Sequence, residues 1–313
     1  MRRHGFTARA RYLTLGMMLA WVGHATAADI HYRFITVAGN KLFYREAGDS
    51  HKPTILLLLG FPSSSHMFRD LIPELAPYFH VLAPDYLGMG NSAVPTATPL
   101  TPLTFDTLGQ SMEELVWELG IKSAVIYMQD FGGPVGMRLA TRNPQWVRGL
   151  VIQNTPITLD GWEPSRLKAI QANVGPQTPE KRSAAQARIV LATDLFLYQH
   201  GARNPNGLNP DAWANDAFAL SDPGKRRAMT DLQLDIGSNL ALYPQWQAYL
   251  RKAQPTTLVV WGDGDPIFTA RGADAIKEFV PGAQIHHYNT GHFALEEEHR
   301  DIAQRIIEVF AGL

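Results

Sequence analysis

From residue 30 onward the apolar positions follow two rhythms. Residues 33–37 (RFITV) and 41–46 (KLFYRE) are short strand-like pieces joined by Ala38-Gly39-Asn40, a pattern that predicts a hairpin. Residues 54–59 (TILLLL) are apolar almost throughout, as expected of a strand covered on both faces of a parallel sheet. Residues 80–84 (HVLAP), 123–128 (SAVIYM), 148–153 (RGLVIQ) and 256–261 (TTLVVW) read the same way. Helical patterns lie between them, as at 107–119 and 132–142, and a last strand at 284–288 precedes a final helix at 295–310. Strands alternating with helices predict an α/β fold: a mostly parallel, twisted sheet with helices on both faces.

The alternation stops between 156 and 254. That stretch has helical patterns, loops rich in proline and glycine such as 201–210 (GARNPNGLNP), and Trp162, Trp213 and Trp246, but no buried strand. It reads as a helical cap inserted between core strands, which leaves 28–155 and 255–313 as the two parts of the core. An independent second domain is the alternative; an insertion must have both ends joined to neighbouring strands.

Composition narrows the chemistry. Of 313 residues 45% are hydrophobic and 18% charged, enough for a large core. The formal net charge is −1 with no long basic run, so neither nucleic acid nor an anionic membrane surface is an expected partner. The chain has no cysteine, which excludes disulfides, zinc–thiolate sites and thiol nucleophiles. No closely spaced His/Asp/Glu set suggests a metal, and no cofactor is expected.

The first residues address location. Arg2, Arg3, Arg9 and Arg11 precede an apolar run at 12–23 (YLTLGMMLAWVG), followed by Ala25-Thr26-Ala27. A positive segment, a short apolar run and a small-x-small site are the parts of an export signal cleaved near Ala27. The expectation is a signal peptide over 1–27, a periplasmic or secreted protein, and no membrane span after cleavage, since the run is too short for one. An uncleaved apolar extension is the alternative.

Candidate chemistry sits at three strand ends. In Tyr127-Met128-Gln129-Asp130-Phe131-Gly132-Gly133 a buried strand runs straight into a helix through a turn with glycine just after it. Asp130 there can be a helix N-cap, where aspartate is common, or a carboxylate nucleophile that displaces a leaving group from carbon and forms an ester. Two later segments favour the nucleophile: Gly262-Asp263-Gly264-Asp265-Pro266 and Asn289-Thr290-Gly291-His292-Phe293 each follow a strand. Nucleophile Asp130, acid Asp265 and base His292 then stand in the chain order of a strand-end triad. Asp263 is the rival acid; Asp265 is preferred because it lies further from the strand end, where the loop reaches back to His292. After strand 54–59, Gly60-Phe61-Pro62 forms a tight turn in which a cis Phe61–Pro62 bond is expected. The backbone N–H groups of Phe61 and Phe131 would face the oxyanion.

These pieces carry a resemblance. GFPSSSHMFRDLIPEL, APDYLGMGNS, QDFGGPVG, WGDGDPIF and TGHFALEE are similar to segments of the epoxide hydrolase and haloalkane dehalogenase branch of the α/β-hydrolase superfamily. The resemblance implies the α/β-hydrolase fold, an aspartate nucleophile, an alkyl-enzyme ester, and a small apolar substrate with water as co-substrate. Met128 and Leu59 depart from the family pattern, which has a small residue and a histidine at those places. Haloalkane dehalogenases have tryptophan after the nucleophile and fluoroacetate dehalogenases arginine; this chain has Phe131, although Gln129 fits the dehalogenase pattern. Epoxide hydrolases protonate the epoxide oxygen from cap tyrosines, and the resemblance of NLALYPQW maps one to Tyr243, with Tyr198 as a plausible second. Epoxide hydrolysis to a diol is therefore the leading expectation. A haloalkane or haloacid dehalogenase and a non-catalytic hydrolase-fold binding protein are the alternatives.

Overall fold

The computed structural model describes Met1, residues 29–96 and residues 101–313. Apart from Met1, the expected signal segment 1–27 lies outside the described residues. Strands β1 (Ile30–Val37) and β2 (Asn40–Ala47) form the hairpin, turning through Ala38 and Gly39, both at positive φ (49° and 73°). Two such residues make the turn whose twist suits a two-residue hairpin. The chain continues through β3 (Thr54–Leu58), α1 (Leu71–Leu75), β4 (His80–Pro84), α2 (Phe105–Glu118), β5 (Ala124–Gln129), α3 (Gly132–Arg142) and β6 (Val147–Gln153). Five helices follow: α4 (Pro164–Asn173), α5 (Pro179–Gln186), α6 (Leu191–Gln199), α7 (Asp211–Leu220) and α8 (Pro223–Ala253). The chain ends with β7 (Thr257–Gly262), α9 (Arg271–Asp274), β8 (Gln284–Tyr288) and α10 (Leu295–Phe310).

The eight strands make one sheet in the order β1-β2-β4-β3-β5-β6-β7-β8, parallel from β4 to β8. Strands β3, β4, β5 and β7 are buried along their whole length, which is why they read as unbroken apolar runs. The chain moves from β3 outward to β4, then returns to the other side of β3 with β5. That reversal opens a crevice beyond the carboxyl ends of β3 and β5, the place where open α/β sheets take ligands.

The five inserted helices leave the sheet after β6 and return to β7, its hydrogen-bonded neighbour. Polar anchors on α8 fix them to the core. Asn239 accepts from the Arg138 guanidinium (2.7 Å), Asp235 accepts from the Phe105 N–H (2.8 Å), and Asp231 accepts from the Leu103 N–H (3.2 Å). Trp246, fully buried, packs beneath the same Arg138 guanidinium at 5.7 Å. Among the described residues no helix is long and apolar enough to cross a membrane.

A second junction joins α6 and α7 to the core. Tyr198 stacks on Phe293 (centroids 4.1 Å apart), and its hydroxyl donates to Asp216 (2.9 Å). Asp194, also buried, has no hydrogen-bond partner on either carboxylate oxygen. Burial and the proximity of the two groups push the Asp194 carboxyl far up, and burial raises Asp216 as well. A carboxyl raised in the fold contributes stability below its ordinary value of 3.8 that is lost as pH climbs toward the folded value. Asp194→Asn should therefore raise Tm by a few degrees at pH 8 and by less at pH 5, read by circular dichroism melts. An equal gain at both pH values, or a loss at pH 8, would show that Asp194 is not the strained group.

Candidate active site

Asp130 sits in the turn between β5 and α3 with φ at 48°, a left-handed conformation that costs an aspartate on the order of 1 kcal/mol. The turn places the carboxylate just before the first turn of α3. The Phe61 N–H donates to Asp130 Oδ1 at 2.8 Å, and the adjacent Phe131 N–H also favours the ionised carboxylate. The Phe61–Pro62 bond is cis. Two glycines make the turn possible by close approach. A Cβ on Gly60 would fall 2.7 Å from the Asp130 Cβ, and one on Gly136 would fall 2.4 Å from the Met128 sulfur. Met128, the residue that departs from the family pattern, is thus accommodated by a bare backbone on α3.

His292 is buried in the loop after β8 and faces Asp130, with Nε2 4.0 Å from Asp130 Oδ2. Its Nδ1 donates to Asp265 Oδ2 at 2.8 Å. Asp265 has no exposed side-chain surface, and its oxygens are filled. Oδ1 accepts from the Ile267 and Phe268 N–H groups (2.7 and 3.2 Å), while Oδ2 also takes the Asn154 amide (2.8 Å). Asp263 instead meets His287 at the surface, at 2.7 Å. Burial works to lower the His292 pKa, but the charge and hydrogen bond of Asp265 and the charge of Asp130 outweigh it and raise the pKa. Burial raises Asp130, opposed by His292 and the two N–H groups.

Three further residues complete this arrangement, and none stood out as a site residue in the sequence. Asn154, at φ 41° after β6, bridges Asp265 to the β7 backbone through the Gly262 carbonyl (3.1 Å) and N–H (3.0 Å). Gln129 donates from Nε2 to His292 Nε2 at 3.0 Å, which leaves the ring's one proton on Nδ1. The third, Trp162, lies in the cavity wall.

That cavity, about 140 Å³, runs between core and cap and reaches both Asp130 and His292. Its wall is aromatic near the carboxylate, with Phe61, Phe105, Phe131, Trp162 and Phe268. Tyr243 is in the wall, and its hydroxyl accepts the Trp162 indole N–H at 2.8 Å. The phenolic proton is therefore not spent on Trp162. Burial raises the Tyr243 pKa and the Trp162 bond opposes that, so the hydroxyl carries its proton. Tyr198 is not brought to this wall: its hydroxyl is spent on Asp216, and it serves packing of α6 against Phe293. The sequence offers no sign of this, because Asp216 lies 18 residues away on α7. Among the described residues no three His/Asp/Glu side chains gather as a metal site. A carboxylate, an oriented imidazole, paired N–H donors and a phenol around one apolar cavity form a set able to run ester-forming hydrolysis.

Known proteins resemble this chain along most of its length. The chain is 37% identical over 278 residues to an uncharacterized hydrolase of Saccharomyces cerevisiae, YNR064C, covering 87% of this chain and 94% of that protein. It is 27% identical to a haloalkane dehalogenase of Mycobacterium marinum (91% of this chain, 94% of that protein). It is 25% identical to epoxide hydrolase 3 of Mus musculus (85% of this chain, 73% of that protein). The family model described as the alpha/beta hydrolase fold matches residues 53–299, and the chain belongs to that family.

Proposed function

We propose that this protein is an epoxide hydrolase that opens its substrate through an ester on Asp130, and that it is exported by its N-terminal segment. The observation that carries the reading is Tyr243: a phenol in the same cavity as Asp130, with its oxygen tied to Trp162 and its proton left to give. An Asp130 oxygen attacks an epoxide carbon, the C–O bond breaks, and the departing oxygen takes the Tyr243 proton. His292 Nε2 then takes a proton from water, whose oxygen attacks the ester carbonyl. The N–H groups of Phe61 and Phe131 stabilise the oxyanion, and the diol leaves with one oxygen from Asp130. The proton on His292 returns to the Tyr243 phenolate. In this role Gln129 is a resting partner of Nε2 that gives way to the water.

A dehalogenase is the second reading, favoured by the Trp162 N–H in the cavity wall and by the dehalogenase relative. Against it, Phe131 offers no side-chain donor for a leaving halide. The hydrogen-bonded pair of His292 and Asp265 supports catalysis over a binding role alone.

The two readings separate by experiment. His292→Gln mixed with a panel of terminal and aryl epoxides should trap the ester, seen by intact-protein mass spectrometry as a gain equal to the epoxide mass. Absence of any adduct across the panel, together with halide release from haloalkanes, would favour the dehalogenase. Tyr243→Phe should lower kcat for epoxides by about 100-fold, whereas Trp162→Phe should lower it less; halide release dependent on Trp162 and indifferent to Tyr243 would reverse the assignment. In the wild type, turnover should fall as pH drops through a value above 6.5, because His292 must be neutral to act as base and its pKa is raised. Asp265→Asn should move that limb downward, since it removes the charge that raises His292; a limb that stays in place would exclude His292 as its origin.

A further inference from the structure

The cavity wall has a charge pattern that ester formation does not use. Besides His292 and Tyr243, its ionisable residues are Asp130 and two arginines of the cap, Arg166 on α4 and Arg188 between α5 and α6. Asp130 and His292 are at the sheltered end, with side chains 12% and 1% exposed. Arg166 is half-buried and Arg188 exposed, so the cations lie toward the outer end. Neither guanidinium is within ion-pair distance of a carboxylate among the described residues, unlike Arg182, which pairs with Asp231. The acid nearest to Arg166 in sequence, Glu163, caps α4, accepting from the Ser165 and Arg166 N–H groups at 3.0 Å each, and feels the Arg166 charge without forming an ion pair with it. The wall also carries the apolar side chains of Ile170, Leu197 and Phe196.

A cavity with a carboxylate at its sheltered end and cations without ion-pair partners toward its outer end sorts molecules by polarity. An anionic group is repelled at the sheltered end and attracted at the outer end, so an elongated substrate enters with its uncharged end leading. An arginine fork also binds a carboxylate bidentately, which fixes direction as well as affinity. We propose that Arg166 and Arg188 form an anion subsite, and that the substrate carries a carboxylate at the end remote from the carbon that Asp130 attacks. This rests on the reading of Asp130 as nucleophile for the identity of the reacting end, but the subsite itself is a binding property.

Titration calorimetry tests it without turnover. Hexanoate and its neutral isostere hexanamide are titrated into the wild type, into Arg166→Gln, Arg188→Gln and the double variant, at low salt and in 0.5 M NaCl. The expected result is that the wild type binds hexanoate about ten-fold more tightly than hexanamide, as one charge-assisted contact allows. Each single variant should shrink that preference and the double variant abolish it, with hexanamide affinity unchanged; salt should erode it in the wild type alone. Equal affinity for the two probes, failure to bind hexanoate, or a preference that survives the double substitution would overturn the proposal. None of these outcomes depends on epoxide opening, so failure of the subsite and failure of the catalytic reading are told apart.

Discussion

A carboxylate buried without a cation in contact is expensive, and the structure around Asp130 is arranged to hold one. The ionisable partner facing it, His292, is 4.0 Å away, and the Phe61 N–H donates to the carboxylate directly, with the Phe131 N–H also favouring the ionised form. Those donors belong to different strand ends, after β3 and after β5. They converge because β3 and β5 are adjacent and parallel and so end at the same edge of the sheet, and because Gly60 lets one backbone approach the other. The left-handed backbone at Asp130 is the local cost of this convergence. The buried sheet beneath it supplies the rigidity that keeps the turn from relaxing.

The second charge is managed by relay of position. Asp265 is held with no exposed side-chain surface because four groups, two backbone N–H, the Asn154 amide and His292, satisfy its oxygens. Its charge in turn raises the His292 pKa against burial. Gln129 holds the other nitrogen, so the imidazole is fixed at Nδ1 by Asp265 and at Nε2 by the residue next to Asp130. The cap repeats the device with Trp162 and Tyr243, where one donor fixes a second donor and leaves its proton available.

Much of this was legible in the sequence, and the limit has a physical basis. Strands buried on both faces, such as β3 and β4, need apolar residues at every position, so they stand out, and the observed bounds differ from the expected ones by a residue or so. The turn at Asp130 is local, and the residues it needs are consecutive. Contacts between segments far apart in the chain left no such mark. Asn154 reaches Asp265 across 111 residues and Gln129 reaches His292 across 163, each from a strand end whose neighbours explain nothing of its role. The cap is harder still, because its helices are partly apolar all round and sequence does not say which side faces the cavity. Tyr243 and Tyr198 both lie in such helices; one is turned to the cavity and the other to Asp216. Met128 shows the same limit in reverse. Its mismatch with the family pattern is resolved by Gly136, eight positions on and one turn into α3, where the missing side chain leaves room.

Everything in the catalytic reading depends on a covalent bond between substrate carbon and Asp130, and isotope placement detects that bond directly. With enzyme in excess over an epoxide in water enriched in oxygen-18, a single turnover should give diol with no label from solvent. The peptide containing Asp130 should gain one heavy oxygen, because the product's new oxygen comes from the carboxylate and water restores it. Labelled diol with an unlabelled Asp130 peptide would mean that water attacks the substrate itself, and would contradict Asp130 as nucleophile.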